Sequence, residues 1–150
     1  MLKSKEYLSN IAEKCIKKAK ALGAPDVEIG ISNSIADTIN YRNKGKEQSE
    51  RSEILSLSLI TYIDQKKTNV STSNFDEQSI GSLIERSVQQ TKVSPEDEFV
   101  GLPQKDHLEY KTLNLDLYDQ NILSYDFKQN FLADMEDEMF SNSKITNSNG

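Results

Sequence analysis

The chain has 150 residues, 35% of them apolar and 28% charged, with a formal net charge of −6, one histidine, one cysteine and no tryptophan. A chain of this length can bury one full core, hiding roughly 70% of the surface that its unfolded form exposes. The charge is uneven, since residues 1–93 hold 14 Lys/Arg against 12 Asp/Glu and residues 94–150 hold 4 against 12. An acidic second part argues against nucleic acid, because phosphate binding needs clustered cations. No apolar run approaches the roughly 18 residues of a membrane span. Met1–Asn10 is charged and lacks the apolar stretch of a signal peptide, which leads to the expectation of a cytoplasmic protein.

In chain order, Leu8, Ile11, Ala12, Cys15, Ile16, Ala19 and Leu22 recur at helical spacing. Ser4 can cap this helix, and Gly23 with Pro25 stops it. Val27, Ile29 and Ile31 then alternate with polar residues, as do Ile39 and Tyr41, so two half-buried strands are predicted. The tract 42–53 has no apolar residue before Ile54 and reads as strand ends meeting around Gly45. Residues 54–64 are the most hydrophobic strand candidate, with Leu55, Leu57, Leu59 and Ile63 on one side, and are expected at the centre of the sheet. A turn at 64–67 leads to a partner strand over 68–73, where Val70 and Thr72 share a face. Asp76 caps a second helix running through Ile80, Leu83, Ile84, Val88 and Thr91.

The reading is therefore an α+β fold, an antiparallel four-stranded sheet flanked by helices over residues 1–93. Residues 94–118, with Pro95, Gly101 and Pro103, form an extended linker. From 119 to 150 the pattern opens a further α/β unit: Asp119 caps a third helix carrying Ile122, Leu123, Phe127, Phe131, Leu132, Met135 and Met139, and Ile145–Gly150 starts a strand. The expectation is that the sequence stops inside that unit.

Chemistry-bearing residues are sparse. A zinc site needs several convergent donors, whereas His107 stands alone in a polar loop and Cys15 lies on an apolar helical stripe. The acids Glu96, Asp97 and Glu98, and Asp134, Glu136, Asp137 and Glu138, lack the alternating ligands and glycine turn of a calcium loop. The second group is expected on a solvated face opposite Phe131 and Met135. Lys14, Lys17, Lys18 and Lys20 surround a helix and read as solvated surface, and Asn69-Val70-Ser71 as a glycosylation acceptor has no secretory context. No catalytic, cofactor-binding or metal residue is assigned. The hairpin 54–73 is the most interesting surface, since a sheet edge can pair with an extended peptide.

Several words of the sequence are distinctive: Ala21-Leu22-Gly23-Ala24 before an acidic-apolar strand, Ser71-Thr72-Ser73-Asn74 before a capped helix, and Ser94-Pro95-Glu96-Asp97-Glu98-Phe99-Val100-Gly101-Leu102-Pro103. With Leu115-Asp116-Leu117-Tyr118-Asp119 and Ile145-Thr146-Asn147-Ser148-Asn149-Gly150, they resemble the N-terminal part of the PmbA, or TldE, branch of the TldD/PmbA family. Ser58 and Thr68 depart from the glycines that relatives often have in the central hairpin. That family is described as a modulator of DNA gyrase and as a two-subunit metalloprotease. The resemblance implies a heterodimer in which the TldD subunit carries a His-Glu-x-x-x-His zinc motif, the PmbA subunit lacks it, and peptides are cleaved in a closed cavity. It thus implies a non-catalytic subunit portion, with zinc expected only in a TldD-like partner. The alternatives are a stand-alone peptide-binding module using the sheet edge, or an inactive gene fragment.

Overall fold

The structure is a computed structural model that describes residues 2–111, 113–117, 119 and 121–150. Its elements are α1 (Lys5–Ala21), β1 (Asp26–Arg42), β2 (Gly45–Ile63), β3 (Lys66–Thr72), α2 (Glu77–Val93), a short 3₁₀ turn (Lys105–His107) and α3 (Tyr125–Phe140). Two compact units share the long strands: Met1–Ser34 with Glu53–Tyr110, and Ile35–Ser52 with Lys111–Gly150.

In the first unit α1 begins where the Ser4 hydroxyl accepts the Tyr7 N–H at 3.2 Å. It ends in paired return bonds, Gly23 N–H to the Lys20 carbonyl and Ala24 N–H to the Ala19 carbonyl. This closure needs a left-handed residue, and Gly23 has φ +102°. Pro25 follows and cannot extend the helix.

The sheet is antiparallel in the order β1-β2-β3, with three strands among the described residues. The four expected strands are corrected to three because the segments 27–31 and 39–41 belong to one continuous β1. Asn33 and Ser34 look like turn residues, yet the half-buried alternation Val27, Ile29, Ile31 runs on through Asn33 and Ile35. Asn33 stands this position because its amide is matched: its Oδ1 accepts the Lys3 N–H at 2.7 Å and its Nδ2 donates to the Ile54 carbonyl at 3.2 Å. Both hairpins close through two residues with positive φ, Asn43 and Lys44 (51° and 61°) and Asp64 and Gln65 (47° and 59°). Such turns match the right-handed strand twist, and Asn and Asp tolerate the conformation best among non-glycine residues. The expected meeting of strand ends around Gly45 is observed.

β2 lies in the middle, with Leu57 opposite Thr72, Leu59 opposite Val70 and Thr61 opposite Thr68. The ladder is regular at Ser58 and Thr68, and the Ser58 hydroxyl donates to Asn69 Oδ1 at 3.1 Å. Leu57 and Leu59 are fully buried and join Cys15, Ala19, Ala24, Leu83, Ile84 and Val88 in one core. The loop before α2 is built from side-chain caps: Thr72 Oγ1 accepts the Asn74 N–H, Asn74 Oδ1 accepts the Asp76 N–H, and Asp76 accepts the Gln78 and Ser79 N–H groups. The last pair caps α2 as its sequence pattern predicts.

One polar feature sits inside this core. Thr61, Ser87 and Thr91 are fully buried, and the Thr61 hydroxyl oxygen lies 2.8 Å from that of Ser87 and 2.6 Å from that of Thr91. Thr91 also donates to the Ser87 carbonyl at 2.9 Å. One assignment satisfies every donor: Thr91 to that carbonyl, Thr61 to Thr91, and Ser87 to Thr61.

In the second unit α3 begins at Ser124, whose hydroxyl accepts the Phe127 N–H at 3.1 Å. The expected cap at Asp119 is corrected: that carboxylate accepts the Asn121 N–H in a local turn, and Ile122 and Leu123 precede the helix. Tyr118, within the Leu115–Asp119 motif, lies outside the described residues. Gly150 pairs with Tyr41 of β1 through two backbone hydrogen bonds of 2.8 and 3.1 Å, but residues 145–150 form no strand, so the strand expected to start at Ile145 is corrected to a single paired residue.

The hydroxyl triad generates a stability prediction. Thr61→Val leaves a buried Ser87 hydroxyl without its acceptor and is expected to cost about 1–3 kcal/mol in urea unfolding. The triple replacement Thr61→Val, Ser87→Ala, Thr91→Val is expected to cost less than the sum of its single changes, because it removes both sides of each bond. Strict additivity would show that the hydroxyls act separately.

Candidate functional site

Each residue considered as a reactive group has an identifiable place. His107 is exposed on the 3₁₀ turn. Cys15 is 2% exposed in the core, where burial pushes its thiol up and disfavours the thiolate that nucleophilic chemistry requires. Lys17 pairs with Glu13 at 3.7 Å and Lys18 with Glu85 at 2.9 Å, so these two lysines of the α1 cluster face their own unit's carboxylates. Among the described residues no three His, Cys, Asp or Glu side chains converge as metal ligands. With one exposed histidine and one core cysteine, these donors do not fit a zinc centre.

The acids of the 94–103 motif act as anchors. Glu96 meets Lys66 at 3.4 Å, the Asp97 N–H donates to the Gln65 carbonyl at 2.9 Å, and the Asp97 carboxylate accepts the Phe99 N–H. Ser94 reaches Thr68 at 3.2 Å. The segment after α2 is thereby tied to the β2–β3 turn.

The α3 acids behave differently from the expectation. Asp134 and Glu138 are exposed, but Glu136 is 3% exposed, while Phe131 and Met135 are half exposed. The expected solvated face opposite Phe131 and Met135 is corrected in both parts: Asp134 and Glu138 share the side of those residues, and Glu136 is buried because that side chain meets three donors at the β1–β2 turn and the closing segment. Its carboxylate accepts the Lys44 N–H and the Ser148 hydroxyl, and the Asn43 N–H contributes. Burial alone pushes the Glu136 carboxyl up, but the Ser148 hydroxyl, the two N–H groups and the Lys44 charge outweigh it, so its pKa lies below the ordinary 4.5. Arg42 Nε donates to Asn147 Oδ1 at 3.1 Å in the same region.

The surface best suited to recognition in the first unit is the end of β3 beside α2. A polar recess of about 560 Å³ there is lined by the hydroxyls of Ser71, Thr72 and Ser79, the amides of Asn74 and Gln78, and the Arg86 guanidinium. β3 is an edge of the sheet, with Lys67, Asn69 and Ser71 exposed along it. Donors and acceptors beside an edge strand suit an extended backbone, and nothing in the recess pairs a nucleophile with a base. Sequence reading found the edge but not the recess, whose α2 residues Gln78, Ser79 and Arg86 read as ordinary helix surface.

A three-stranded antiparallel sheet with helices and an open edge at β3 defines an α+β unit. Its relatives narrow that class. The chain is 29% identical to a metalloprotease PmbA homolog of Buchnera aphidicola over 112 residues, 75% of this chain and 25% of that protein. It is 25% identical to a metalloprotease PmbA homolog of Haemophilus influenzae over 152 aligned positions, 100% of this chain and 34% of that protein. Its fold is similar to a proposed modulator of DNA gyrase from Bacteroides thetaiotaomicron, with TM-score 0.71 and 19% identity over 78% of this chain and 26% of that one. It is also similar to TldE from Thermococcus kodakarensis, with TM-score 0.57 and 15% identity over 74% of this chain and 25% of that one. No model of a known protein family matches. Sequence and fold thus agree on a likeness to PmbA/TldE proteins, and the chain spans a quarter to a third of the length of the curated relatives it matches. Among the described residues no helix is long and apolar enough to cross a membrane.

The Glu136 environment sets a pH dependence. Because its folded pKa is depressed, its contribution is fully present above the ordinary value of 4.5 and is lost as pH falls below that value and through the folded one. Glu136→Gln is expected to lower the unfolding midpoint at neutral pH, to converge with the wild type in acid, and to speed hydrogen exchange at the Lys44 amide. Equal midpoints at pH 7 would contradict this.

Proposed function

We propose that this chain forms the N-terminal part of a PmbA/TldE-like non-catalytic subunit, which assembles with a TldD-like zinc metallopeptidase in intracellular peptide processing. The observation that carries the reading is the agreement between sequence likeness to PmbA homologs and fold likeness to TldE. Its role in that assembly is architectural. Residues 1–93 supply the helix-sheet-helix wall, 94–118 connect it, and 119–150 open the following unit. The zinc and the general base reside in the partner, and peptide reaches them through the complex. The open β3 edge of the first unit suits the same division of labour, since an edge strand can hold an extended chain without chemistry of its own. Cytoplasmic location accompanies the reading.

A second reading has a specific observation behind it. The polar recess beside the β3 edge suits an extended peptide, so the chain could serve as a peptide-binding module without a catalytic partner.

Co-expression with a TldD-like subunit separates the two. Co-purification as a stable complex, with zinc accompanying the TldD-like subunit and peptidase activity lost when that subunit's histidines are replaced, is the expected result. Stoichiometric zinc on this chain alone, or peptide hydrolysis by it alone, would overturn the reading. Failure to co-purify, together with saturable binding of extended peptides that Ser71→Pro abolishes, would favour the module.

A further inference from the structure

The outward side of α3 has a composition that its own unit does not use. Phe127, Phe131 and Met135 are 52%, 55% and 46% exposed. Their spacing of four places them on one line along the helix, about 12 Å long. The Phe127 and Phe131 rings are stacked, with centroids 6.3 Å apart and planes 12° from parallel. Single exposed apolar residues are commonplace, but a continuous stripe of two phenylalanines and a methionine matches the residue types enriched where proteins meet.

The charges beside the stripe say what would cover it. α3 contains five carboxylates and one lysine. Glu136 is buried, Asp137 is paired with Lys44 at 3.4 Å, and Lys128 is drawn to Asp37 at 3.8 Å. Asp134 and Glu138 remain exposed on the same side of the helix as the aromatic rings. An apolar stripe with an acidic border repels an anionic lipid surface and nucleic acid. A second copy of α3 would bring a helix with five carboxylates and one lysine against it, a net like-charge arrangement that costs affinity.

We propose that this face docks a protein helix whose apolar stripe is bordered by Lys or Arg. The line of Phe127, Phe131 and Met135 fills the space between side-chain ridges of the incoming helix, and the basic border pairs with Asp134 and Glu138. This contact does not presuppose a TldD-like partner, and its failure leaves the assembly reading intact.

Fluorescence anisotropy on the whole chain with two labelled synthetic helices tests it, one with a leucine stripe bordered by lysine and one with the same stripe bordered by glutamate. The lysine-bordered helix is expected to bind at least about tenfold more tightly, and Phe131→Ser to weaken it by about tenfold or more. Asp134→Asn with Glu138→Gln is expected to erase the preference and flatten its salt dependence. These side chains are exposed, so the replacements open no cavity, and unchanged far-UV circular dichroism verifies the fold. Val93→Ser, on the exposed end of α2, is expected to leave binding unchanged. Equal binding of both helices, no binding of either, or indifference to Phe131→Ser would overturn the proposal. So would a dimer in sedimentation that Phe131→Ser dissociates, which assigns the stripe to a second copy. Uptake on phosphatidylglycerol vesicles that Phe131→Ser abolishes would equally overturn it, in favour of a lipid surface.

Discussion

The interaction on which the first unit depends is the seating of α2 on the inner face of β2 and β3. Leu57, Leu59 and Thr61 follow one another along that face of β2, and each is fully buried. The middle strand can present them this way only because both of its neighbours are hydrogen-bonded to it and both hairpins hold their register. A slip of one residue would turn Ser58 and Ile60 inward and expose both leucines. The two-residue turns prevent that slip, since each fixes the pairing of the strands that it joins. Leu83, Ile84 and Val88 of α2 then complete the core together with Cys15 and Ala19 of α1.

Much of this was legible because the apolar residues obey a single period within each element. The helical spacing of Ile11, Cys15 and Ala19, the stop at Gly23, the central position of residues 54–63 and the Asp76 cap all rest on local rules that tertiary structure had no reason to override. The strand count was not legible for a related reason. Asn33 and Ser34 carry turn chemistry, and only the partners of the Asn33 amide reveal why the strand continues through them. The start of α3 shows the same limit, because Asp119 and Ser124 are equally good caps by composition. The intervening Asn121, Ile122 and Leu123 carry no period strong enough to choose between them.

Buried polar groups were the least legible part. Thr61 lies on the inward face by its alternation, but a threonine there gives no sign that Ser87 and Thr91 will meet it from α2, 26 and 30 residues away. Glu136 sits among Asp134, Asp137 and Glu138, and composition treats the four alike. What distinguishes it is the turn at Asn43 and Lys44, whose left-handed backbone directs N–H groups toward α3. Lysine is a poor occupant of that conformation, and the bond from its N–H to a buried carboxylate helps to offset the cost. The same carboxylate takes the Ser148 hydroxyl, so one side chain ties the hairpin tip, α3 and the closing segment of the second unit together.

A chain with one exposed histidine and a core cysteine can still contribute function through its edges and faces. In the second unit β1 accepts Gly150 through a paired set of backbone bonds, which shows the outer side of that strand open to an extended neighbour. In the first unit the turn carbonyl of Gln65 is taken by Asp97, so the connection after α2 shields one end of β3 and leaves the end near Ser71 and Thr72 beside its polar recess. An edge with free donors and acceptors invites indiscriminate strand pairing unless something limits its length or charge. Here β3 has only seven residues and Lys67 projects from it. The same features that guard the edge against aggregation thus restrict what it can pair with to short, polar, extended segments.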